Sequence, residues 1–140
     1  MAGLGVQFEV NGAAVGKGRP RVTRHTTYTP ARTRKYEATV RLAASEAMCG
    51  RTPFDEAVAV EITAVLPIPK SWAKKWQAAA REGRVQPKTR PDVDNYAKAA
   101  VDACNGVLFR DDSQIAELTC RKTYGAHPRL VVTVKPLEAA

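Results

Sequence analysis

Aspartates are concentrated in one short stretch of a chain that is otherwise basic. Five of the six lie between residues 91 and 112, namely Asp92, Asp94, Asp102, Asp111 and Asp112. Carboxylate oxygens without a partnering histidine or thiolate select hard cations, so the pattern favours Mg²⁺ or Mn²⁺ over zinc. Such ions hydrolyse phosphodiesters by activating water and by neutralising charge on the phosphate.

The same carboxylates have an ordinary structural interpretation. Asp94 is placed to cap a helix and the Asp111–Asp112 pair to form a turn, which is the more common situation for an isolated Asp-x-Asp. Lys98 follows Asp94 by four residues and shares its helical face. A lysine there could orient the attacking water or hold the scissile phosphate, or else form a surface ion pair. Asp102 is expected to be a surface partner or a supporting group.

Basic residues are also clustered, and the chain carries a net charge of +8. This charge favours polyanionic partners, nucleic acid before anionic membrane, because no basic amphipathic helix with a large apolar face is predicted. Lysines and arginines that flank the aspartates would draw a phosphate backbone towards carboxylates that otherwise repel it. A solvated charged face is the alternative. The predicted DNA contacts are Lys17, Arg19, Arg21, Arg24, Lys70, Lys74, Lys75, Lys88 and Arg90.

The elements that must position these residues can be predicted from periodicity and stop signals. Strands are expected at residues 6–10, 58–66, 115–124 and 129–135, the last two joined by a hairpin turn at 125–128. Helices are expected from just after Pro30 to near Cys49–Gly50, from an N-cap at Ser71 to about Arg81, and over about 94–104. The composition of residues 16–30 predicts an exposed loop or irregular hairpin. Trp72 and Trp76 would share one helical face.

This order predicts an α+β fold, a single domain over residues 1–140 with a mixed sheet of about four strands and helices on one face. The three cysteines have no disulfide or metal spacing and are expected to be reduced and mostly buried. No apolar run is long enough to span a membrane, and the N-terminus lacks a signal-peptide pattern. We expect a cytoplasmic protein that needs no organic cofactor.

Residues 89–115, TRPDVDNYAKAAVDACNGVLFRDDSQI, closely resemble the signature of the RusA family of Holliday-junction resolvases. The segments KGRPRVT at 17–23, YTP at 28–30 and PIPKSW at 67–72 resemble other landmarks of this family. The resemblance covers most of the chain and is far more specific than an isolated Asp-x-Asp. One departure is the Lys-Gly-Arg-Pro-Arg segment, which stands where other members have a Pro-Pro-Ser-x-Asn type of sequence.

The resemblance implies a homodimer that cuts four-way junctions symmetrically with Mg²⁺, for which Mn²⁺ could substitute, and leaves ligatable nicks. The resemblance implies that the metal-binding aspartates are Asp92, Asp94 and Asp112, with Asp111 as the neighbouring acid of the last. The family's catalytic lysine corresponds to Lys98. A role in recombination and repair, in a bacterial or phage-infected cell, would follow.

Two other interpretations remain open. A nuclease of the same chemistry could act on flaps, forks or other branched DNA of phage replication. A basic DNA-binding protein with purely structural aspartates is the non-enzymatic alternative, although a pure binder gains nothing from acids beside its DNA surface.

Overall fold

The computed structural model describes residues 4–18, 21–22, 24, 27–28 and 30–137. The strands are β1 (Val6–Asn11), β2 (Arg21–Val22), β3 (Thr27–Tyr28), β4 (Val58–Pro67), β5 (Ile115–Gly125) and β6 (Arg129–Pro136). The helices are α1 (Ala31–Met48), α2 (Lys74–Arg81) and α3 (Val93–Cys104), and a 3₁₀ turn covers Asp112–Gln114. The predicted α+β class, a single domain with a mixed sheet of about four strands, is confirmed.

The main sheet has the strand order β1-β6-β4-β5. β6 is antiparallel to both of its neighbours, whereas β4 and β5 are parallel, with Ile62 opposite Cys120. Alternate residues of β4 face the helices, and Val58, Ile62 and Ala64 are fully buried there. A strand this rich in buried apolar side chains is stabilised best in the interior of the sheet, where both of its edges are paired.

The predicted hairpin between β5 and β6 is wrong. The chain does turn between Gly125 and Arg129, but β4 lies between the two strands that this turn connects. β4 ends at Pro67, and a second proline follows at position 69. The turn from β5 to β6 passes over this end of β4. The apolar β4 takes the central place, and β5 becomes an outer strand.

Helices α1 and α3 pack against each other on the inner face of the sheet. α1 ends at Met48 and is followed by Cys49 and Gly50, both with positive φ, as the glycine stop signal predicted. α3 presents small side chains to the core, which lets it approach the sheet closely; they include Ala97, Ala100 and Ala103. None of the helices within residues 30–137 is both long and apolar enough to cross a bilayer.

Helix α2 begins later than predicted, so the N-cap prediction for Ser71 is wrong. The cap is Ala73, because Trp72 belongs to a preceding turn in which its backbone N–H donates to the Pro69 carbonyl at 3.2 Å. The Trp72 ring is held edge-on against Tyr124 of β5, with centroids 5.3 Å apart. Trp72 therefore lies outside the helix that contains Trp76, and the two do not share a helical face.

The segment before α1 forms a small hairpin in the part that is described. Arg21 pairs with Tyr28, and Val22 with Thr27, in two short antiparallel strands. The prediction of a loop or irregular hairpin is confirmed here. All three cysteines are free, but only Cys104 is fully buried, and Cys49 is exposed at the end of α1.

Candidate active site

Asp92 and Asp94, called here the helix pair, lie at the N-terminal end of α3. Asp92 is the N-cap residue and Asp94 is in the first turn, and both side chains are exposed. Neither carboxylate has a hydrogen bond or ion pair among the described residues, and Asp92 does not cap the helix with its side chain. The positive end of the helix dipole stabilises carboxylates at this position without occupying their oxygens.

Two neighbouring elements hold the helix pair in place. The Lys122 ammonium, on β5, donates to the carbonyl oxygens of Thr89 at 2.6 Å and Pro91 at 3.1 Å. On the other side, the Lys17 backbone N–H donates to the Asn95 carbonyl at 2.9 Å. The segment that enters α3 is therefore fixed both to the sheet and to the loop before the small hairpin.

Asp111 and Asp112, called here the turn pair, flank the start of the 3₁₀ turn before β5. The Asp111 carboxylate accepts from the Ser113 N–H at 3.1 Å, and the Gln114 side chain accepts in return from the Asp111 N–H at 2.9 Å. The hydrogen bonds from Ser113 hold the pKa of Asp111 below its usual value. The exposed Asp112 carboxylate has no hydrogen bond or ion pair within the described chain, so it is the member free to bind a ligand.

The helix pair and the turn pair lie at different ends of α3. The 12 residues of this helix span about 18 Å. β5 runs back along the helix, so that Ile115 follows the turn pair while the Cys120 thiol contacts the Val93 carbonyl at 3.4 Å, beside the helix pair. Across the described ranges, no three acidic, histidine or cysteine side chains come close enough to hold one ion. Both pairs flank β5, but within a single chain they lie apart.

Lys98 is exposed one helical turn after Asp94, as predicted. Within residues 30–137 its ammonium forms no ion pair with Asp94 or Asp102, so the simple surface pair that could explain this lysine is absent there. Asp102 is paired instead with Lys17, at 3.1 Å.

Lys17 has a structural role in this chain. Its ammonium lies 2.6 Å from Glu37 of α1 and 3.1 Å from Asp102 of α3, and its side chain is only 12% exposed. Burial lowers the pKa of Lys17, but the hydrogen bonds and charges of these two carboxylates outweigh it and raise the pKa overall. Because two carboxylates of the chain already balance the charge of this ammonium, Lys17 is not available for the predicted contact with DNA.

The other predicted DNA-contacting residues are placed as follows. Arg19 lies outside the described residues, and Arg21 is described as part of β2. The remaining side chains are exposed: Arg24, Lys70, Lys74, Lys75, Lys88 and Arg90.

A cavity of about 380 Å³ is lined in part by Thr89, which precedes the helix pair in the chain. Its walls are mostly aromatic and apolar, and it is called here the aromatic cavity; its lining residues are Trp72, Ala73, Trp76, Val85, Gln86, Lys88, Thr89 and Tyr124. Sequence reasoning missed Tyr124 and Lys122, because nothing local marks either residue. Only the strand alternation of β5, which places them two residues apart on the helix side of the sheet, could have linked them.

Comparisons with known proteins agree with the sequence pattern. The family model for endodeoxyribonuclease RusA matches residues 11–135. The chain is also similar to the uncharacterized protein YqaN of Bacillus subtilis. The two are 34% identical over an alignment of 140 residues that covers 96% of this chain and 98% of the relative. The matched range includes α3 and both acidic pairs.

Proposed function

Because the chain belongs to the RusA endodeoxyribonuclease family, we propose that it is a Mg²⁺-dependent endonuclease that resolves Holliday junctions by paired, symmetric nicks. The observation that carries this proposal is the helix pair, two exposed carboxylates that form no hydrogen bond or ion pair in the described chain. Carboxylates that only capped a helix or paired with a surface lysine would have those partners. The natural task would be DNA recombination and repair.

The chemistry of the donor set fits a hard cation. Asp92, Asp94 and Asp112 would hold Mg²⁺, or Mn²⁺ in its place, through carboxylate oxygens, which such ions prefer. When bound, the ion supplies an activated water and neutralises charge on the scissile phosphate. Asp111 is less suited than Asp112, because its carboxylate already accepts a hydrogen bond from Ser113.

Lys98 would act on the phosphate rather than on the ion. It stands on α3, one turn beyond Asp94, and has no carboxylate partner within the described residues. A free ammonium here can stabilise the negative charge that builds on the phosphate oxygens as water attacks. The exposed basic residues before the helix pair, from Lys70 to Arg90, would hold the flanking backbone.

The separation of the two acidic pairs supports a homodimer. Ligand oxygens on one Mg²⁺ lie within about 4 Å of each other, whereas α3 alone, which separates the pairs, is about 18 Å long. A two-fold axis near the middle of β5 would exchange the two ends of this strand. Asp112 of the partner subunit would then reach the helix pair of this subunit, and Asp112 of this subunit would reach the helix pair of the partner. The dimer would have two equal sites.

The surface at the middle of β5 suits such contact. β5 is an outer strand that pairs only with β4 in the described sheet, so its other edge is free to pair with a second copy. Leu118 on this strand is 51% exposed, and Val93, at the start of α3, is 37% exposed. Burying these two apolar side chains in a dimer would add to its stability.

The test compares DNA substrates that share the same labelled strand. A labelled mobile four-way junction, a flap and a linear duplex are each incubated with the protein and Mg²⁺. We expect paired nicks at symmetric positions of the junction and little cutting of the duplex. Preferential cutting of the flap would assign the same chemistry to another branched substrate, whereas binding without any cutting would mean that the aspartates are structural.

A further inference from the structure

We propose that the aromatic cavity binds one unpaired nucleobase of the DNA substrate. This inference rests on the proposed function, because it makes the cavity a second subsite beside the helix pair. Trp72, Trp76 and Tyr124 form its ring-bearing walls, and its volume of about 380 Å³ is in the range of pockets that hold small planar ligands.

The exposure of Trp76 indicates a surface that is completed by a ligand. This large side chain lies on α2 and is 51% exposed, and the Lys75 ammonium lies 5.3 Å from the centroid of its ring. Trp72, which also lines the cavity, packs edge-on against Tyr124 with ring centroids 5.3 Å apart. One wall is thus a packed pair of rings, and the other is a half-exposed ring that the Lys75 ammonium approaches, surfaces on which a planar base can stack.

The charge around the cavity selects an anionic ligand. Residues 70–90 contain seven lysines and arginines but a single acid, Glu82. Glu82 is paired with Arg84 at 2.7 Å, so its charge is already balanced. Lys88 lines the cavity itself, and Lys74 and Lys75 stand exposed on α2. An apolar aromatic floor with a positive rim fits a nucleotide, whose ring is planar and whose phosphate is anionic.

The cavity is joined to the helix pair by a short, fixed segment. Thr89 lines the cavity, and Asp92 follows it by three residues, a distance of about 11 Å at most. β5 supports both sites, since Tyr124 forms a wall of the cavity and Lys122 binds the Thr89 and Pro91 carbonyls. A base in the cavity would therefore belong to a nucleotide close to the scissile phosphate. Junctions and other branched DNA can supply an unstacked base there, whereas an intact duplex must first unpair one.

Tryptophan fluorescence tests this directly, because both tryptophans of the chain line the cavity. The full chain is titrated in EDTA with a short single-stranded oligothymidylate and with an abasic oligonucleotide of the same length and charge. We expect saturable quenching by oligothymidylate and little by the abasic strand. Equal quenching by both would overturn the proposal, as would a fluorescence change that follows protein concentration without DNA, which would assign the cavity to a second copy of the chain.

Variants separate stacking from folding. Trp76→Ala should weaken oligothymidylate binding, measured by fluorescence anisotropy, by about 5- to 150-fold, with no change in abasic-strand binding. Trp76→Phe should restore most of the affinity because it keeps an aromatic face. Leu42→Ala is the matched control, since Leu42 is also exposed, at 61%, but lies on α1. Unchanged affinity in Trp76→Ala would contradict the proposal.

The proposed nuclease function can fail separately from this inference. Asp94→Asn should abolish cutting and keep the oligothymidylate quenching, since Asp94 does not line the cavity. Quenching by a wild-type protein that cuts no DNA would refute the nuclease proposal and retain the base-binding site. Junction cutting without any base-dependent quenching would do the reverse.

Discussion

Mixing two variants that are each expected to be inactive tests the proposal that the two subunits of a dimer share each catalytic site. Asp94→Asn removes a carboxylate from the helix pair and Asp112→Asn removes one from the turn pair. Loss of a metal ligand forfeits several kcal/mol of transition-state stabilisation, so each homodimer should cut at least about 100-fold more slowly than wild type. In a mixed dimer, however, the intact helix pair of one subunit can meet the intact Asp112 of the partner subunit.

The expected recovery follows from counting sites. If the two variants are unfolded and refolded together in equal amounts, about half of the dimers are mixed, and each mixed dimer has one intact and one doubly mutated site, which predicts about a quarter of wild-type nicking. The products should be junctions nicked in one strand, because the second site of the same dimer is inactive. Nicking of a labelled junction on a denaturing gel gives both quantities.

A second mixture provides the control. Asp92→Asn and Asp94→Asn both alter the helix pair, so no dimer formed from them contains an intact site, and the mixture should stay as inactive as either variant alone. The shared-site reasoning would be refuted if the Asp94→Asn and Asp112→Asn mixture also stayed inactive although mixed dimers had formed. Full activity of either variant alone would remove its aspartate from the site.

Three further predictions follow from contacts in the structure. Asp111→Asn should retain most cutting, because asparagine can also cap the turn, whereas Asp112→Asn should lose it; equal loss in a junction assay would contradict the separate roles. Lys17→Met should lower the free energy of unfolding by about 1–2 kcal/mol in urea titrations. Because folding raises the pKa of Lys17, the contribution of Lys17 to stability should be constant up to about pH 10 and shrink as the pH rises past about 10.5. Equal unfolding free energies of wild type and Lys17→Met at pH 7 would refute this role. Iodoacetamide at pH 8 should label the exposed Cys49 but not Cys104, whose pKa burial raises to about 12; mass spectrometry of peptides decides, and equal labelling would contradict the burial.

Local signals were sufficient to predict the helices that frame the site. The three- and four-residue spacing of apolar side chains and the Asn105–Gly106 stop predicted α3, and Gly50 marked the end of α1. These features act within a few residues of the chain, so the sequence contains them directly. The concentration of aspartates around α3 likewise marked both acidic pairs.

Tertiary contacts decided the features that sequence reasoning missed. Gly125 and Pro128 are typical of a hairpin turn, but the apolar β4 takes the place between the two strands. Ser71 has a good capping side chain, yet Trp72, which contacts Tyr124, lies outside the helix, and α2 begins only at Lys74. The separation of the acidic pairs depends on the direction of β5 along α3, which residue spacing does not reveal.

We propose that this protein cuts branched DNA through its helix pair and a divalent cation. The most direct test incubates wild type and Asp94→Asn with a labelled mobile four-way junction, in Mg²⁺ and in EDTA, and measures binding in parallel. We predict symmetric nicks only with wild type in Mg²⁺, while Asp94→Asn still binds the junction. Equal cutting by Asp94→Asn, or binding without cutting by wild type under every metal condition, would contradict the account.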